Sequence, residues 1–192
     1  MRSALGDASS EAGRLPDWYR GAAPFRSPTP GGGASGHCMD VQVLSYDVPG
    51  WGIGELYFEG ERLLYHELPS ARERRAEEKE HPLAERMCRY FAGEPVSFAD
   101  VEVDLSWGTE FQVALAEALR AVPYGETVTY GELAALAGRP NAPRAAGTFC
   151  AGNRFALIVP CHRVVSAAGL GGYGSLGGEY KRRLLELEHA LW

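Results

Sequence analysis

Two helix-start signals in the second half of this chain constrain its fold more than any other feature. Thr109 is followed three residues later by Gln112. Thr129 is followed in the same way by Glu132. This spacing is typical of a capping box at a helix N-terminus, and apolar residues at helical spacing follow each box. The sequence therefore predicts two consecutive helices, the second of which ends at Gly138.

A third helix is predicted directly after the second. Gly138 begins a four-residue turn, and Asn141 is a favourable N-cap for a helix that runs to Cys150. Two short helices joined by a glycine-containing turn have the outline of a helix-turn-helix, which binds DNA. Short paired helices are also common as plain packing, so the pattern alone leaves both interpretations open.

The residues before Ser106 predict a different kind of structure. Three short β-prone segments are separated by turn-forming residues, and the apolar positions from Leu83 to Phe91 have helical spacing. The three segments are residues 41–46, 54–58 and 62–67. We expect a small antiparallel sheet with one helix packed on it, and hence an α/β chain of the α+β kind. Residues 1–38 are rich in Gly and Pro and are predicted to be a disordered extension.

Composition and charge limit the class of protein. Of the 192 residues, 45% are hydrophobic and 23% are charged, as in globular domains. No apolar run approaches the roughly 20 residues of a membrane-spanning helix, and no secretory signal is visible, so we expect a cytoplasmic protein without membrane contact. The net charge of −6 lies in the first part of the chain, because residues 107–192 carry eight basic and seven acidic side chains. A nearly neutral second half is compatible with DNA contact by a few placed arginines.

One of the four cysteines is next to a histidine, a residue that can activate a thiol as a nucleophile. The four are Cys38, Cys88, Cys150 and Cys161, and no CxxC pair joins any of them, so free thiols are expected. Cys161 precedes His162, and a nearby histidine favours the reactive thiolate. A bare Cys-His pair fits a small buried cysteine beside an ordinary histidine equally well.

The wider string around Cys161 is more specific. Residues 160–164 read Pro-Cys-His-Arg-Val, which resembles the active-site signature of the O6-alkylguanine-DNA alkyltransferases, the methylated-DNA protein-cysteine methyltransferases. Further motifs of this family follow the same order over roughly the last 85 residues. They are residues 123–127, 129–131 and 143–147, Asn153, the Gly-Gly-Tyr loop at 171–173, and the last helix at 181–188. Several ordered motifs are more specific than any one alone, and the chain is identified as a member of this family.

The resemblance implies a two-domain fold. A ribonuclease H-like α/β domain would occupy residues 39–104, which resemble the family only loosely. A mostly helical DNA-binding and alkyl-transfer domain with a winged helix-turn-helix would occupy residues 105–192.

The resemblance also implies direct DNA repair. In this family the alkyl group on O6 of guanine moves irreversibly to the signature cysteine, here Cys161, so each molecule acts once. O4-alkylthymine is a further candidate substrate. The nucleotide is flipped out of a duplex that the helix-turn-helix binds from the minor groove. We expect a monomer acting on double-stranded DNA that contains O6-alkylguanine, with no cofactor. No metal is expected either, because His37, Cys38 and Cys88 do not form a convincing tetrahedral ligand set.

Catalytic roles follow from the resemblance one residue at a time. His162 would connect to Cys161 through a water and be oriented by Glu188, while Asn153 would shape the turn before the cysteine. Tyr130 would press on the phosphate of the flipped nucleotide and protonate the departing guanine. Without the family, Glu188 reads as an exposed helix charge.

Binding roles are implied in the same way. Arg144 would enter the base stack in place of the flipped base, although an isolated arginine there reads as an exposed charge near a helix N-terminus. The implied DNA-binding residues are Arg144, Tyr130, Ala145 and Gly147. The implied substrate-binding residues are Tyr173, Ser175 and Val164. The glycine-rich loop places its tyrosine differently from a common form of the family, which puts the lid contacts in question.

Other functions remain as alternatives. A non-catalytic alkyl-lesion sensor or a DNA-binding regulator would need the same helix-turn-helix, but a sensor has its nucleophile replaced, whereas Cys161 is present. A cysteine hydrolase would need neither the helix-turn-helix nor Arg144.

Overall fold

The computed structural model describes residues 41–71 and 80–192. The predicted extension at residues 1–38, with His37 and Cys38, lies outside the described residues. So does most of the charged segment that follows Ser70.

Three antiparallel strands open the described part of the chain. They are β1 (Val41–Val48), β2 (Gly52–Glu59) and β3 (Arg62–Ser70), paired in sequence order. Each extends beyond its predicted segment, because backbone pairing continues past the apolar residues that indicate a strand. Helix α1 (Pro82–Phe91) packs against β1 through a buried face that includes Met87 and Tyr90. The predicted sheet with one helix on it is confirmed.

The second half is mostly helical. Its elements are α2 (Glu110–Arg120), β4 (Val128–Thr129), α3 (Tyr130–Leu136), α4 (Pro143–Ala151), a 3-10 turn (Cys161–Arg163), β5 (Val164–Val165) and α5 (Gly177–Leu187). Both capping boxes are formed, with reciprocal hydrogen bonds between Thr109 and Gln112 and between Thr129 and Glu132. Helices α3 and α4 pack together as the predicted helix-turn-helix, and β4 pairs with β5 in parallel.

One predicted cap is wrong. The N-cap of α4 is Ala142, not Asn141, and no side chain caps this helix. Pro143 occupies the first turn instead, where its fixed φ and missing N–H suit a helix start. The helix therefore begins one residue later than the Asn141 cap implies.

The apolar run at residues 155–159 has a strand-like composition, but it forms a turn. Val159 donates its N–H to the Phe155 carbonyl at 2.7 Å, and Leu157 has a φ of 72°. The Asn153 side chain accepts from the Phe155 N–H at 3.0 Å and donates to the Val159 carbonyl at 2.7 Å. An amide side chain thus satisfies the backbone groups that a neighbouring strand satisfies in a sheet.

One continuous apolar core joins the two halves. Buried side chains from the three-stranded sheet, from α1 and from α2 to α5 belong to the same cluster. Leu63 of β3 exchanges backbone hydrogen bonds of 2.9 Å with Glu102 and Asp104, so the segment leading to α2 is attached to the sheet. The molecule is a mixed α/β fold with a small antiparallel sheet, as expected. Among the residues described, no helix is long and apolar enough to cross a membrane.

The Thr129 capping box provides a test of how α3 is held. Thr129→Ala should lower the free energy of unfolding by about 1 kcal/mol, because the N–H of Glu132 loses its acceptor. Denaturant titration measures the change. Thr148→Ala is the matched control, since the exposed Thr148 hydroxyl bonds only the Arg144 carbonyl of its own helix. Equal losses in the two variants would mean that the capping box adds no specific stability.

Candidate active site

The Cys161–Arg163 turn separates the Cys161 side chain from those of its two polar neighbours. In a 3-10 turn neighbouring residues are about 120° apart, so adjacent side chains diverge. Cys161 lines two cavities, whereas His162 and Arg163 both contact the carboxylate of Glu188. All three residues are buried. The turn thus places a thiol at a cavity wall and sets its two polar neighbours behind it.

Asn153 holds the cysteine sulfur in place. Its side-chain N–H₂ lies 3.0 Å from Cys161 Sγ, while the same group and its carbonyl oxygen bond the backbone of the 155–159 turn. The residue that shapes the turn therefore also donates a hydrogen bond to the thiol.

The carboxylate of Glu188 is the most heavily bonded group in the site. Glu188 is 2% exposed and caps the C-terminus of α5. Oε1 accepts from Tyr90 Oη at 2.6 Å, and it lies 2.8 Å from His162 Nε2. Arg163 donates to both carboxylate oxygens at 2.9 Å, and the backbone N–H of Gly125 donates to Oε2 at 3.1 Å. Five donors surround one buried charge.

Gly125 is required for this arrangement. Its φ is +80°, and a Cβ built there would lie 3.0 Å from the Glu188 carbonyl oxygen. Only glycine combines that backbone conformation with so close an approach. The Pro-Tyr-Gly turn before β4 is thereby coupled to the end of α5.

These contacts decide which groups are charged. Burial raises the pKa of the Glu188 carboxyl, but hydrogen bonds from His162 and Arg163 and the charge of Arg163 outweigh it and hold that pKa well below its ordinary value. Burial lowers the pKa of His162, and the opposing effect of Glu188 does not restore it. At neutral pH the pair is therefore an ionised carboxylate beside a neutral imidazole.

The Cys161 thiol is protonated at neutral pH. Burial raises the pKa of Cys161. The hydrogen bond from Asn153 and the charge of Lys181 act in the opposite direction without cancelling it. The Tyr173 hydroxyl also favours the thiolate, although it is buried and makes no well-aligned hydrogen bond with a described residue. Reaction at sulfur therefore needs a proton acceptor.

Two cavities of about 230 Å³ meet the cysteine. The helix-side cavity is lined by Tyr130, Gly147, Cys150, Ala151, Cys161, Gly172, Tyr173 and Gly174. The strand-side cavity shares the cysteine and extends to residues 65–68 of β3. A small alkyl group and part of a base fit volumes of this size.

The helix-turn-helix residues lie on the outer side of the helix-side cavity. Tyr130 is half-buried at the first position of α3, and Gly147 of α4 lies against its ring. Arg144 and Ala145 are exposed in the first turn of α4. The Arg144 guanidinium makes no hydrogen bond with any residue of the described ranges.

The three residues assigned to substrate binding occupy different places. Tyr173 lines both cavities, and the exposed Ser175 lines the strand-side cavity. Val164 lines neither. It is buried in β5, and its carbonyl accepts from Lys181 Nζ at 2.6 Å.

Three residues of the site had no role assigned from the sequence. Tyr90 was interpreted only as an apolar position of α1, Arg163 as part of the signature, and Lys181 as part of the last helix. A signal existed for Lys181: it shares the spacing of the buried stripe that continues through Leu184 to Glu188. A lysine on a buried stripe needs carbonyl partners, and Val164 and Leu170 supply them at 2.6 Å.

Comparison with known proteins agrees with this geometry. The family model of the 6-O-methylguanine DNA methyltransferase DNA-binding domain matches residues 110–190. A methylated-DNA–protein-cysteine methyltransferase of Methanopyrus kandleri is 49% identical over 111 residues, which cover 58% of this chain and 82% of that relative. The chain belongs to the methylated-DNA–protein-cysteine methyltransferase family. Its Cys161 signature and its helix-turn-helix are therefore parts of a family fold.

Other members of the family extend the comparison. A Mycobacterium tuberculosis protein of the same name is 52% identical over 105 residues, 54% of this chain and 62% of that relative. The match thus spans less than two thirds of its length. A crystal structure of Mycobacterium tuberculosis OGT in complex with DNA has a TM-score of 0.63 and 39% identity, covering 77% of this chain and 94% of that one. The structural likeness therefore includes the sheet as well as the helices.

The described residues contain no group of three or more His, Cys, Asp or Glu that could hold a metal ion. The two candidate zinc ligands His37 and Cys38 lie outside those residues.

The charge state of the site predicts how stability depends on pH. Both His162 and Glu188 have pKa values below those of the unfolded chain, so the unfolded chain binds protons first as pH falls. The free energy of unfolding should decrease as pH drops below 6.5, where an unfolded histidine is protonated, and more steeply below 4.5. The half-buried His81, whose pKa is also lowered by burial, adds to the decrease below pH 6.5.

Urea titrations across this range measure the effect. Glu188→Gln should make the free energy of unfolding less dependent on pH below 4.5, whereas Glu186→Gln, which alters an exposed carboxyl two residues earlier in α5, should leave that dependence unchanged. If the free energy of unfolding of Glu188→Gln still decreases as steeply below pH 4.5, other carboxyl groups cause the decrease.

Proposed function

We propose that this protein repairs DNA by transferring a methyl or other alkyl group from O6 of guanine to Cys161, once per molecule. The observation that carries the proposal is the position of the Cys161 thiol. It lines two cavities beside a helix-turn-helix, with an amide on its sulfur and a His–Glu pair behind it. A nucleophile, a proton acceptor and a base-sized opening are thereby combined.

The transfer balances without a cofactor. The thiol proton passes to His162 through a bridging water, and the sulfur attacks the alkyl carbon. A C–S bond forms, and the C–O6 bond breaks with its electron pair remaining on guanine, which takes up a proton. Tyr130, whose pKa is raised by burial, is the proton donor to guanine in this scheme. The thioether product has no easy leaving group, so the protein acts once.

The carboxylate of Glu188 drives proton uptake. Because it is held ionised by Arg163 and its other donors, it favours the imidazolium that forms when His162 takes the proton. Proton transfer then converts the neutral Cys161 thiol and the neutral His162 imidazole into a thiolate and an imidazolium, and protein groups that stabilise both charges are already in place. Asn153 stabilises the thiolate at the same moment.

The DNA-binding residues follow from exposure. Arg144, free of bonds with the described residues and at the first turn of α4, is placed to enter a base stack. Ala145 and the small Gly147 leave room for a backbone to approach the same face. Tyr130 stands between this face and the helix-side cavity. In this proposal the surface binds a duplex that contains O6-alkylguanine, and the damaged nucleotide is flipped toward Cys161.

The substrate pocket and the domain division belong to the same proposal. Tyr173 and Ser175 border the alkyl group, while Val164 contributes indirectly, because its carbonyl holds Lys181 in place.

The division into two domains between residues 104 and 105 is supported by the pairing of Leu63 with the segment that ends at Asp104. A monomer that acts on genomic DNA works in the cytoplasm, at the nucleoid.

The acceptor can be identified directly. The protein is mixed with an excess of a short duplex that contains one O6-methylguanine, and the peptides are weighed by mass spectrometry. One methyl group should appear on the Cys161 peptide, with no further turnover. Cys161→Ser should abolish the gain and leave duplex binding intact, whereas Cys150→Ser, which alters the other thiol of the helix-side cavity, should retain it. Binding without any methyl gain would favour a lesion sensor.

The role of Arg144 separates DNA opening from chemistry. Arg144→Ala should slow repair of duplex DNA at least about tenfold, while the rate with free O6-benzylguanine should stay within about twofold of wild type. The reason is that only in the duplex does a flipped base leave a space in the base stack for Arg144 to fill. Arg182→Ala removes one exposed positive charge on α5 and controls for net charge. Equal slowing with both substrates would remove the base-replacing role.

A further inference from the structure

Tyr90 connects the N-terminal sheet-and-helix unit to the chemical centre. It belongs to α1 and is 0% exposed. Its hydroxyl lies 2.6 Å from Glu188 Oε1 and 3.2 Å from His162 Nε2. These partners are 98 and 72 residues further along the chain. A side chain from outside the signature thus touches both members of the His–Glu pair.

The direction of each hydrogen bond follows from what the partners can donate. An ionised carboxylate only accepts, so the hydroxyl of Tyr90 gives its hydrogen to Glu188. The hydroxyl oxygen then presents a lone pair to His162 Nε2. Nε2 faces two acceptors, the carboxylate and this oxygen, and it therefore carries the ring hydrogen. Nδ1, which has no hydrogen-bond partner among the described residues, is left with its lone pair.

The ring of Tyr90 is fixed on its other sides. Phe91, Phe98 and Tyr124 contact it at centroid distances of 5.4 to 6.1 Å, two of them edge-on. The hydroxyl cannot turn away without moving this cluster. Burial and the charge of Glu188 raise the pKa of Tyr90 well above its ordinary value, so the phenol keeps its hydrogen at neutral pH.

We propose that Tyr90 is a positioning residue of the active site, whose hydroxyl holds Glu188 and His162 so that His162 presents an unprotonated Nδ1 for the Cys161 proton. This inference rests on the proposed alkyl transfer for its biological meaning, but its chemistry concerns the thiol alone. The sheet-and-helix unit then supplies one of the groups that activate the nucleophile.

The charged and titratable groups around His162 are few. Glu188 and Lys181 approach from α5 and its end, Arg163 from the same turn, and Tyr90 from α1. Arg163 is bound to Glu188 and to the Val122 carbonyl at 2.6 Å, and Lys181 to the Val164 and Leu170 carbonyls. Tyr90 and Glu188 alone make hydrogen bonds to the imidazole within the described ranges.

A purely structural role predicts something different. A buried phenol that only fills space needs one acceptor, and its loss weakens folding without changing how a distant thiol titrates. A positioning role changes the titration, because the imidazolium that forms at His162 loses one of the two oxygens at Nε2. The pH profile of the thiol therefore separates the two roles.

The test is Tyr90→Phe in the full chain, with Tyr124→Phe as the matched control. Tyr124 belongs to the same aromatic cluster, but its hydroxyl bonds only the backbone carbonyls of Leu187 and Gly93. Alkylation of the Cys161 peptide by iodoacetamide is followed by mass spectrometry from pH 5.5 to 9.5. In Tyr90→Phe the rate at pH 7 should fall about tenfold, the effect of one hydrogen bond to a charged group, and the thiolate midpoint should move to higher pH.

The control variant should keep the wild-type profile. A Tyr90→Phe profile that coincides with wild type, in a protein that retains its thermal unfolding transition, would overturn the proposal. If Tyr90→Phe does not fold, nitrogen-15 NMR of the wild-type protein decides instead. A His162 ring protonated at Nε2 supports the assignment, and a ring protonated at Nδ1 overturns it.

Methyl transfer from the O6-methylguanine duplex is measured on the same samples. Wild-type protein that transfers no methyl, together with a shifted Tyr90→Phe profile, refutes the proposed function and leaves the role of Tyr90 intact. Wild-type protein that transfers the methyl group, together with an unshifted Tyr90→Phe profile, supports the proposed function and refutes the role of Tyr90.

Discussion

The ionised carboxylate of Glu188 is a full charge removed from water, and a charge in that position is stable only if protein donors replace the solvent. A buried carboxylate without partners costs several kcal/mol, so its donors cannot be optional. Here they come from three separate parts of the chain, α1, the Gly125 turn and the Cys161–Arg163 turn, and they meet Glu188 at the end of α5. These segments must be packed together before the carboxylate can be buried. The charge that activates the site is also a condition for the fold around it.

This constraint explains why the N-terminal unit shares a core with the helical half. Tyr90 reaches the carboxylate from α1, and His66 of β3 donates its backbone N–H to the Arg154 carbonyl at 2.8 Å. The His66 ring adds a contact of 2.6 Å between Nδ1 and the Ala156 carbonyl. The turn that carries Asn153 is thus supported by the sheet, and the sulfur of Cys161 is held through that turn. The unit with the weaker motif resemblance provides part of the support for the chemistry.

Without a substrate, the thiol of the site is in its unreactive protonated form because it is buried. Desolvation keeps Cys161 as a thiol and His162 as a neutral imidazole, while Glu188, its partner Arg163 and the nearby Lys181 carry charges. In the proposed reaction each molecule acts once, so a permanently ionised thiolate would be open to consumption by other electrophiles. A thiol that loses its proton only when a substrate occupies the cavities would restrict that reaction to a positioned alkyl group.

The sequence by itself determined the helix starts at Thr109 and Thr129, the helix-turn-helix, the small sheet with α1 and the family signature around Cys161, because these depend on local spacing. Tertiary structure alone decided the rest. Ala142 replaced Asn141 as the N-cap because the helix begins at Pro143. The apolar run at 155–159 became a turn once the Asn153 side chain satisfied its backbone. Glu188 and Tyr90 had no local sign of their meeting, since 98 residues separate them. Local patterns record which face of an element is apolar, whereas the pairing of buried polar groups depends on elements distant in sequence packing together in one core.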